Sequence, residues 1–357
     1  MKKDFGRSIL LVSALLCASP IPVAAADRAL FDNLDYGIYW FQDQLVAQKA
    51  QPGISNPYYA PSRPTMIYVH GWQRDKTPLL YRETFDRRSE SGIAQDLIAP
   101  WKSNGWNTGI FYWNQFADEA DVKDAEAKIW TTAGPKGMRW RKSDGSYVSG
   151  TVAQSAGQLM LASYSSALAN YTGNDIRLVG HSLGSQMVVV TAKLISDAVD
   201  RGELPVNLRP RRVVLLDPAF IGDPRSWLNN GTTGQAGLSI VQALRQKGII
   251  FESLSTSSVS SAADIKAIMN ETAYRELKPW YFGGLDLVGK HMAAVWSYLW
   301  EYSFAAPPLF GSGIPAVSAA ASNAVAQSHM NSPNKMVHDQ GAWTKTPADD
   351  TYKSAYK

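Results

Sequence analysis

Gly180-His181-Ser182-Leu183-Gly184 sets a serine between two glycines. It follows an apolar run, Ile176-Arg-Leu-Val179, and precedes a long helical pattern. A serine at such a strand-to-helix turn can act as a nucleophile. The turn needs strained backbone angles at Ser182, and Gly180 and Gly184 let strand and helix approach closely. The hydroxyl then projects from the C-terminal edge of a sheet. The adjoining helix N-terminus offers free N–H groups and a positive dipole end to a developing anion. The bare pattern recurs by chance, so its strand and helix flanks carry the assignment.

A serine hydroxyl needs a base. The chain has five histidines. His70 ends a strand ahead of the turn. His181 adjoins the serine and is expected to point away from it. His291, His329 and His338 all satisfy the chain order serine, acid, histidine. Asp217 is the acid candidate, because it ends the apolar run Val213-Val-Leu-Leu216 and Pro218 stops the strand there. A carboxylate at that point shares the rim with Ser182. An Asp before Pro also suits a turn or cap, so Asp286 and Asp264 stand in reserve.

The elements that must hold these residues alternate along the chain. Pro64 to His70, Gly105 to Trp113, Ile176 to Val179, Arg212 to Leu216 and Gly248 to Leu254 read as strands. Thr151 to Tyr171, about Ser185 to Val199, and the aromatic stretch His291 to Tyr302 read as helices. Residues 27–60 give no clear period, and 134–150 reads as a loop or hairpin. Alternation of this kind predicts right-handed crossovers and a mostly parallel sheet with helices on both faces.

Four segments carry a resemblance to the lipase family that includes the animal pancreatic and lipoprotein lipases. His70-Gly71-Trp72 resembles that family's oxyanion segment, and Gly180-His-Ser-Leu-Gly184 its nucleophile turn. Leu216-Asp217-Pro218-Ala219 resembles its acid segment. His291 followed by Met-Ala-Ala-Val-Trp-Ser-Tyr-Leu-Trp resembles its histidine at the head of an aromatic helix. The resemblance implies an α/β-hydrolase fold and an ester hydrolase with a triad of Ser182, Asp217 and His291. It implies an oxyanion hole from the backbone N–H groups of Leu183 and Trp72. His70, Gly71 and His181 are expected to line or support the substrate site, with His70 fixing its loop by hydrogen bonding. The expected partner is an ester or lipid, met in one setting at a lipid interface. Amide, thioester or polyester cleavage would use the same triad, and a secreted binding protein of the same fold is the non-catalytic rival. The family's disulfides cannot form here. The stretches 220–237 and 134–150 are the candidate covers of the site.

Composition narrows the rest. With 45% hydrophobic residues in 357, the chain can build one large core and is not disordered. The 12 Trp and 16 Tyr read first as core filling. Net charge is only +4; the densest basic cluster, Arg209-Pro-Arg-Arg212, leads into a strand, so nucleic-acid binding is not expected. No zinc-protease, P-loop or dinucleotide motif appears, so no metal and no cofactor are expected. The acidic stretch Asp118–Asp124 is read as a solvated helix face rather than a calcium site. Residues 1–26 read as a signal peptide: a basic start, a short apolar run at Ile9–Leu16, and Ala24-Ala25-Ala26 for cleavage near Ala26. The expectation is therefore a secreted or periplasmic protein with no stable membrane span. Cys17 is the sole cysteine. Residues 27–357 are read as one catalytic domain, with 305–357 a Pro/Gly/Ala-rich extension. The oligomeric state is left open.

Overall fold

The computed structural model describes residues 27–311, 316–339, 341 and 344–357. The expected signal peptide lies outside the described residues. Ten strands form one sheet: β1 (Gly37–Phe41), β2 (Ala47–Lys49), β3 (Thr65–Val69), β4 (Asn107–Tyr112), β5 (Ile176–His181), β6 (Arg212–Leu216), β7 (Ile250–Ser255), β8 (Ala273–Glu276), β9 (Asn334–Asp339) and β10 (Thr351–Tyr356). Their order is β2-β1-β4-β3-β5-β6-β7-β8-β9-β10. From β4 to β9 every neighbouring pair is parallel. Antiparallel strands close both ends, β1 and β2 at one and β10 at the other. This mostly parallel sheet, flanked by helices, is the expected α/β class of fold.

Seven helices of eight or more residues occur among the described residues: α1 (Val122–Trp130), α2 (Ala156–Ala167), α3 (Leu183–Asp200), α4 (Thr233–Gln246), α5 (Ala263–Asn270), α6 (Leu287–Leu299) and α7 (Asn323–Asn331). Every residue of β3, β5, β6 and β7 is buried, as continuous apolar strands covered on both faces must be. Alternate side chains feed two cores. Ile67, Leu178, Val213 and Phe251 meet Leu159, Met187 and Val241 of α2, α3 and α4 on one face. Met66, Val179, Val214 and Leu254 meet Trp296, Leu299 and Trp101 on the other.

The helix boundaries differ from the sequence expectation for local reasons. α2 starts at Ala156, not Thr151, because Ser155 and Gln158 form a reciprocal capping box. α6 starts at Leu287, a turn before His291, because Asp286 accepts the Gly289 N–H. α3 contains Val188-Val189-Val190, a run that disfavours helix on propensity. All three are buried, and packing outweighs the propensity term.

Residues 27–60 supply β1 and β2, which the sequence left unassigned. The C-terminal stretch supplies α7, β9 and β10. Buried charges clasp it to the sheet. Arg212 of β6 donates to Ser318 O at 3.0 Å and to Ala321 O at 2.8 Å, and Arg177 of β5 donates to Ala319 O at 2.5 Å. Arg275 of β8 bridges Glu252 at 2.6 Å and Glu301, which also accepts the Ala319 N–H.

Candidate active site

The turn between β5 and α3 is as tight as the glycines suggested. Ser182 has φ 56° and ψ −124°, a conformation L-residues avoid. A Cβ on Gly180 would lie 2.2 Å from Gly184 O, and one on Gly184 2.2 Å from Val69 O. Both neighbours are backbone and cannot rotate away. Gly184→Ala is therefore expected to cost more than about 3 kcal/mol of stability. Gly222→Ala, where nothing stands within 4 Å, is the matched control; it should stay within about 0.5 kcal/mol. Urea melts of the two variants check this.

Main-chain bonds bring the acid strand beside the serine. The Ser182 N–H donates to Leu216 O at 3.0 Å, and the Ala219 N–H donates to Ser182 O at 3.2 Å. Asp217, between those two residues, is fully buried with φ 38°. Its carboxylate is saturated with donors. Oδ1 accepts from the Thr256 N–H at 2.9 Å, the Ser257 N–H at 3.2 Å and Ser260 Oγ at 2.8 Å. Oδ2 accepts from Ser257 Oγ and from His291 Nδ1, the latter at 2.6 Å. Burial alone would raise the Asp217 pKa. The His291 contact, with Ser257 and the Thr256 amide, outweighs it and holds the carboxyl below its usual range. The loop after β7 thus seats the Asp217 carboxylate. Ser257 and Ser260 were missed by the sequence reading, although the Ser-rich run 255–261 after a strand was visible.

Ser182, at 6% exposed, and His291, at 2%, are nearly buried. Gly71 sits against the serine: a Cβ there would lie 2.7 Å from Ser182 Cβ. The Trp72 backbone N–H has no hydrogen-bond partner among the described residues, and its indole donates to Glu119 O at 2.7 Å. Leu183 is the first residue of α3, so its N–H has no partner within the helix.

His70 and His181 are internal supports rather than walls open to a substrate. His70 has no exposed surface; Nδ1–H donates to Gly71 O at 2.9 Å and Nε2 accepts the Trp113 N–H at 3.3 Å. His181 donates from Nε2 to His291 O at 3.2 Å, and the two rings lie 4.4 Å apart. Burial, helped by the charge of His291, pushes the His181 pKa down to about 3. Its ring therefore stays neutral in the fold while an unfolded histidine takes up a proton below about pH 6.5. The unfolded state then binds more protons, so stability falls with pH from 6.5 toward 3. Glu83, held at about 2 by Arg87 against the cost of burial, joins the loss below its ordinary 4.5. His181→Gln keeps a donor for His291 O. It should flatten the slope between pH 6.5 and 4.5 by about 1 kcal/mol per pH unit, as urea melts across pH can measure.

The other candidates lie elsewhere. Asp286 caps α6, and Asp264 accepts from Thr232 Oγ1 at 2.6 Å. His338 sits on β9, 2.8 Å from Asp350 Oδ2 but without hydrogen-bond geometry at that nitrogen. His329 is on α7. Of these histidines, only His291 meets Asp217.

The acidic stretch is not a solvated face. Asp118 and Glu119 are fully buried. Asp118 accepts the Asp75 and Thr77 N–H groups and pairs with Arg141 at 2.9 Å; Glu119 pairs with Lys128 at 2.7 Å and Arg139 at 2.5 Å. Asp118 and Glu119 face Arg141 and Arg139 of the 134–150 hairpin and Lys128 of α1, which a single-sequence helix wheel cannot reveal. These pairs pin that hairpin. The stretch 220–237 is pinned as well, because buried Glu126 accepts from the Ile221 N–H, Thr233 and Arg225. Among the described residues no cluster of three or more metal-ligating side chains occurs, and no helix is long and apolar enough to cross a membrane.

No family model and no curated protein matches the sequence. Solved structures do resemble the chain. The thioesterase domain from the curacin biosynthetic pathway is 11% identical, covers 67% of this chain and 92% of that one, with a TM-score of 0.36. LpqC, a poly(3-hydroxybutyrate) depolymerase from Bordetella parapertussis, is 15% identical over 58% of this chain and 61% of that one, with a TM-score of 0.32. A lipase-esterase related protein from Clostridium acetobutylicum is 12% identical over 66% and 90%, with a TM-score of 0.30. Scores this low assign no activity to the chain.

Proposed function

We propose that this protein is a serine hydrolase of carboxylic esters, with Ser182 as nucleophile, His291 as base and Asp217 as its orienting acid. One observation carries the reading: a His291–Asp217 hydrogen bond of 2.6 Å beside a serine in a strained strand-to-helix turn. Few structural roles require both at once.

The chemistry follows from these positions. Ser182 Oγ adds to the ester carbonyl carbon and its proton passes to His291 Nε2. Asp217 fixes the Nδ1–H tautomer and stabilises the imidazolium. The tetrahedral oxyanion takes the N–H groups of Leu183 and Trp72. Collapse expels the alcohol, which leaves with the proton from His291. Water then repeats the sequence on the acyl-enzyme, releasing the acid and restoring Ser182. Because the oxyanion donors are main-chain groups, Trp72 acts through its backbone rather than its indole.

The likeness of four segments to the pancreatic and lipoprotein lipases supports lipid-like esters as the substrate class, and the N-terminal 26 residues support export. The test is covalent. A fluorophosphonate probe should label the folded protein at Ser182, located by peptide mass spectrometry, and nitrophenyl esters from acetate to palmitate should be cleaved. Folded protein that neither labels nor cleaves any ester in the series ends the reading.

A further inference from the structure

A groove of about 590 Å³ opens on the outer side of the loop that seats Asp217. Five lysines line it: Lys266, Lys278, Lys290, Lys335 and Lys357. One carboxylate, Glu276, shares the wall, and it pairs with Lys335 at 2.8 Å. Lys290 donates to Gly284 O and Lys357 to Met330 O, both neutral carbonyls. Lys266 and Lys278 have no ion-pair partner among the described residues. Four of the five lysines therefore make no ion pair among the described residues, although Asp339 lies near enough to Lys278 to feel its charge. Concave walls with one sign of charge concentrate counter-ions of the other.

The remaining lining is hydroxyl-rich, drawn from the Ser255–Ser261 loop, with Trp280 at the rim. The donor set also selects the anion. Flat carboxylates are best met by the planar fork of arginine, and no arginine lines this groove. Lysine point charges with hydroxyl donors suit the three outward oxygens of a tetrahedral phosphoryl group.

We propose that this groove binds a phosphoryl-bearing ligand, either a free phosphate compound or the headgroup of an anionic lipid. Neither Ser182 nor His291 lines the groove, although Ser257 and Ser260, which hold Asp217, do; the proposal does not depend on the ester-hydrolase reading. Titration calorimetry with pyrophosphate at pH 7 and low salt tests it. The wild type should bind one equivalent, and raising salt tenfold should weaken binding at least several-fold. Lys266→Gln with Lys278→Gln should weaken it at least tenfold. Lys353→Gln, whose lysine pairs with Asp339 outside the groove, should bind as wild type. Hydrolysis of a neutral nitrophenyl ester should persist in the double lysine variant and in Lys353→Gln, which separates failure of this site from failure of the catalytic reading. Wild type that ignores pyrophosphate, or a double lysine variant that binds it unchanged, overturns the proposal. Once pyrophosphate binding is established, flotation with phosphatidylglycerol against phosphatidylcholine vesicles assigns the source. Lysine-dependent flotation on the anionic vesicles alone identifies the headgroup, and no flotation identifies a soluble phosphate.

Discussion

Ester cleavage by Ser182→Ala is expected to fall by roughly 10⁵-fold, with KM little changed. His291→Ala should fall comparably, because nucleophile and base act in one step. The double variant should lose nothing further, since residues that act as a unit are not additive. The comparison gains its force from the other histidines. His338 stands against Asp350 on β9 and His329 on α7, so alanine at either should leave kcat within about threefold of wild type. Substitution of serine by alanine removes one oxygen and leaves the turn's glycines intact, so a folded, silent protein is the expected product. A Ser182→Ala variant within about tenfold of wild type would sink the mechanism.

Asp217→Asn carries the second-largest effect, a fall in kcat of roughly 10³- to 10⁴-fold. An asparagine at this point cannot accept at both of its polar atoms, so it turns an NH₂ toward either His291 or the Ser257–Ser260 side. In the first case His291 loses its Nδ1–H tautomer. In the second, donors of the loop face a donor. The loss should appear in kcat more than in KM, because the ester itself does not touch Asp217. Ser257→Ala removes one of the donors to Oδ2 and should cost a smaller factor, roughly tenfold. Asp286→Asn and Asp264→Asn should leave kcat near wild type. Asparagine caps a helix about as well as aspartate, so Asp286→Asn should melt within about 0.5 kcal/mol of wild type. If Asp286→Asn is the variant that loses kcat, the acid has been misassigned.

The strained strand-to-helix turn at Ser182 was legible in the sequence because its constraint is local. Gly180 and Gly184 are required by contacts within a few residues or to the adjacent strand. Asp217 was legible for the same reason, as a carboxylate where an apolar run stops at proline. His291 could be singled out only by resemblance, because a histidine's reach to a carboxylate 74 residues away leaves no local trace. The expected strands from Pro64 to Leu254 each appear, since buried parallel strands read as continuous apolar runs. β1 and β2 did not, because aromatic runs mixed with Pro and Gly have no period to detect. Asp118 and Glu119 misled for a related reason. Their partners Arg139, Arg141 and Lys128 belong to other segments, and an acid paired in the interior looks like an acid in water until the pairing is known. The aromatic content, read as core filling, fits Trp40, Trp101, Trp113 and Trp296, all buried, while Trp280 at 38% exposed stands apart.

The clasp on the C-terminal stretch reaches further than the sheet edge it closes. α6 carries His291 near its start and runs directly into Glu301, which holds Arg275 of β8 and the Ala319 amide. A short rigid rod therefore joins the imidazole to the far end of the sheet. Releasing residues 316–323 would leave Glu301, Arg212 and Arg177 as charges in the core without part of their shell, a cost too large for the helix to bear alone. In the language of native-state opening, α6, β8 and the C-terminal segment form one cooperative unit. The imidazole is then expected to share the opening free energy of that whole unit rather than the looser value of a surface loop, and amide exchange along α6 at the rate of β8 would show it.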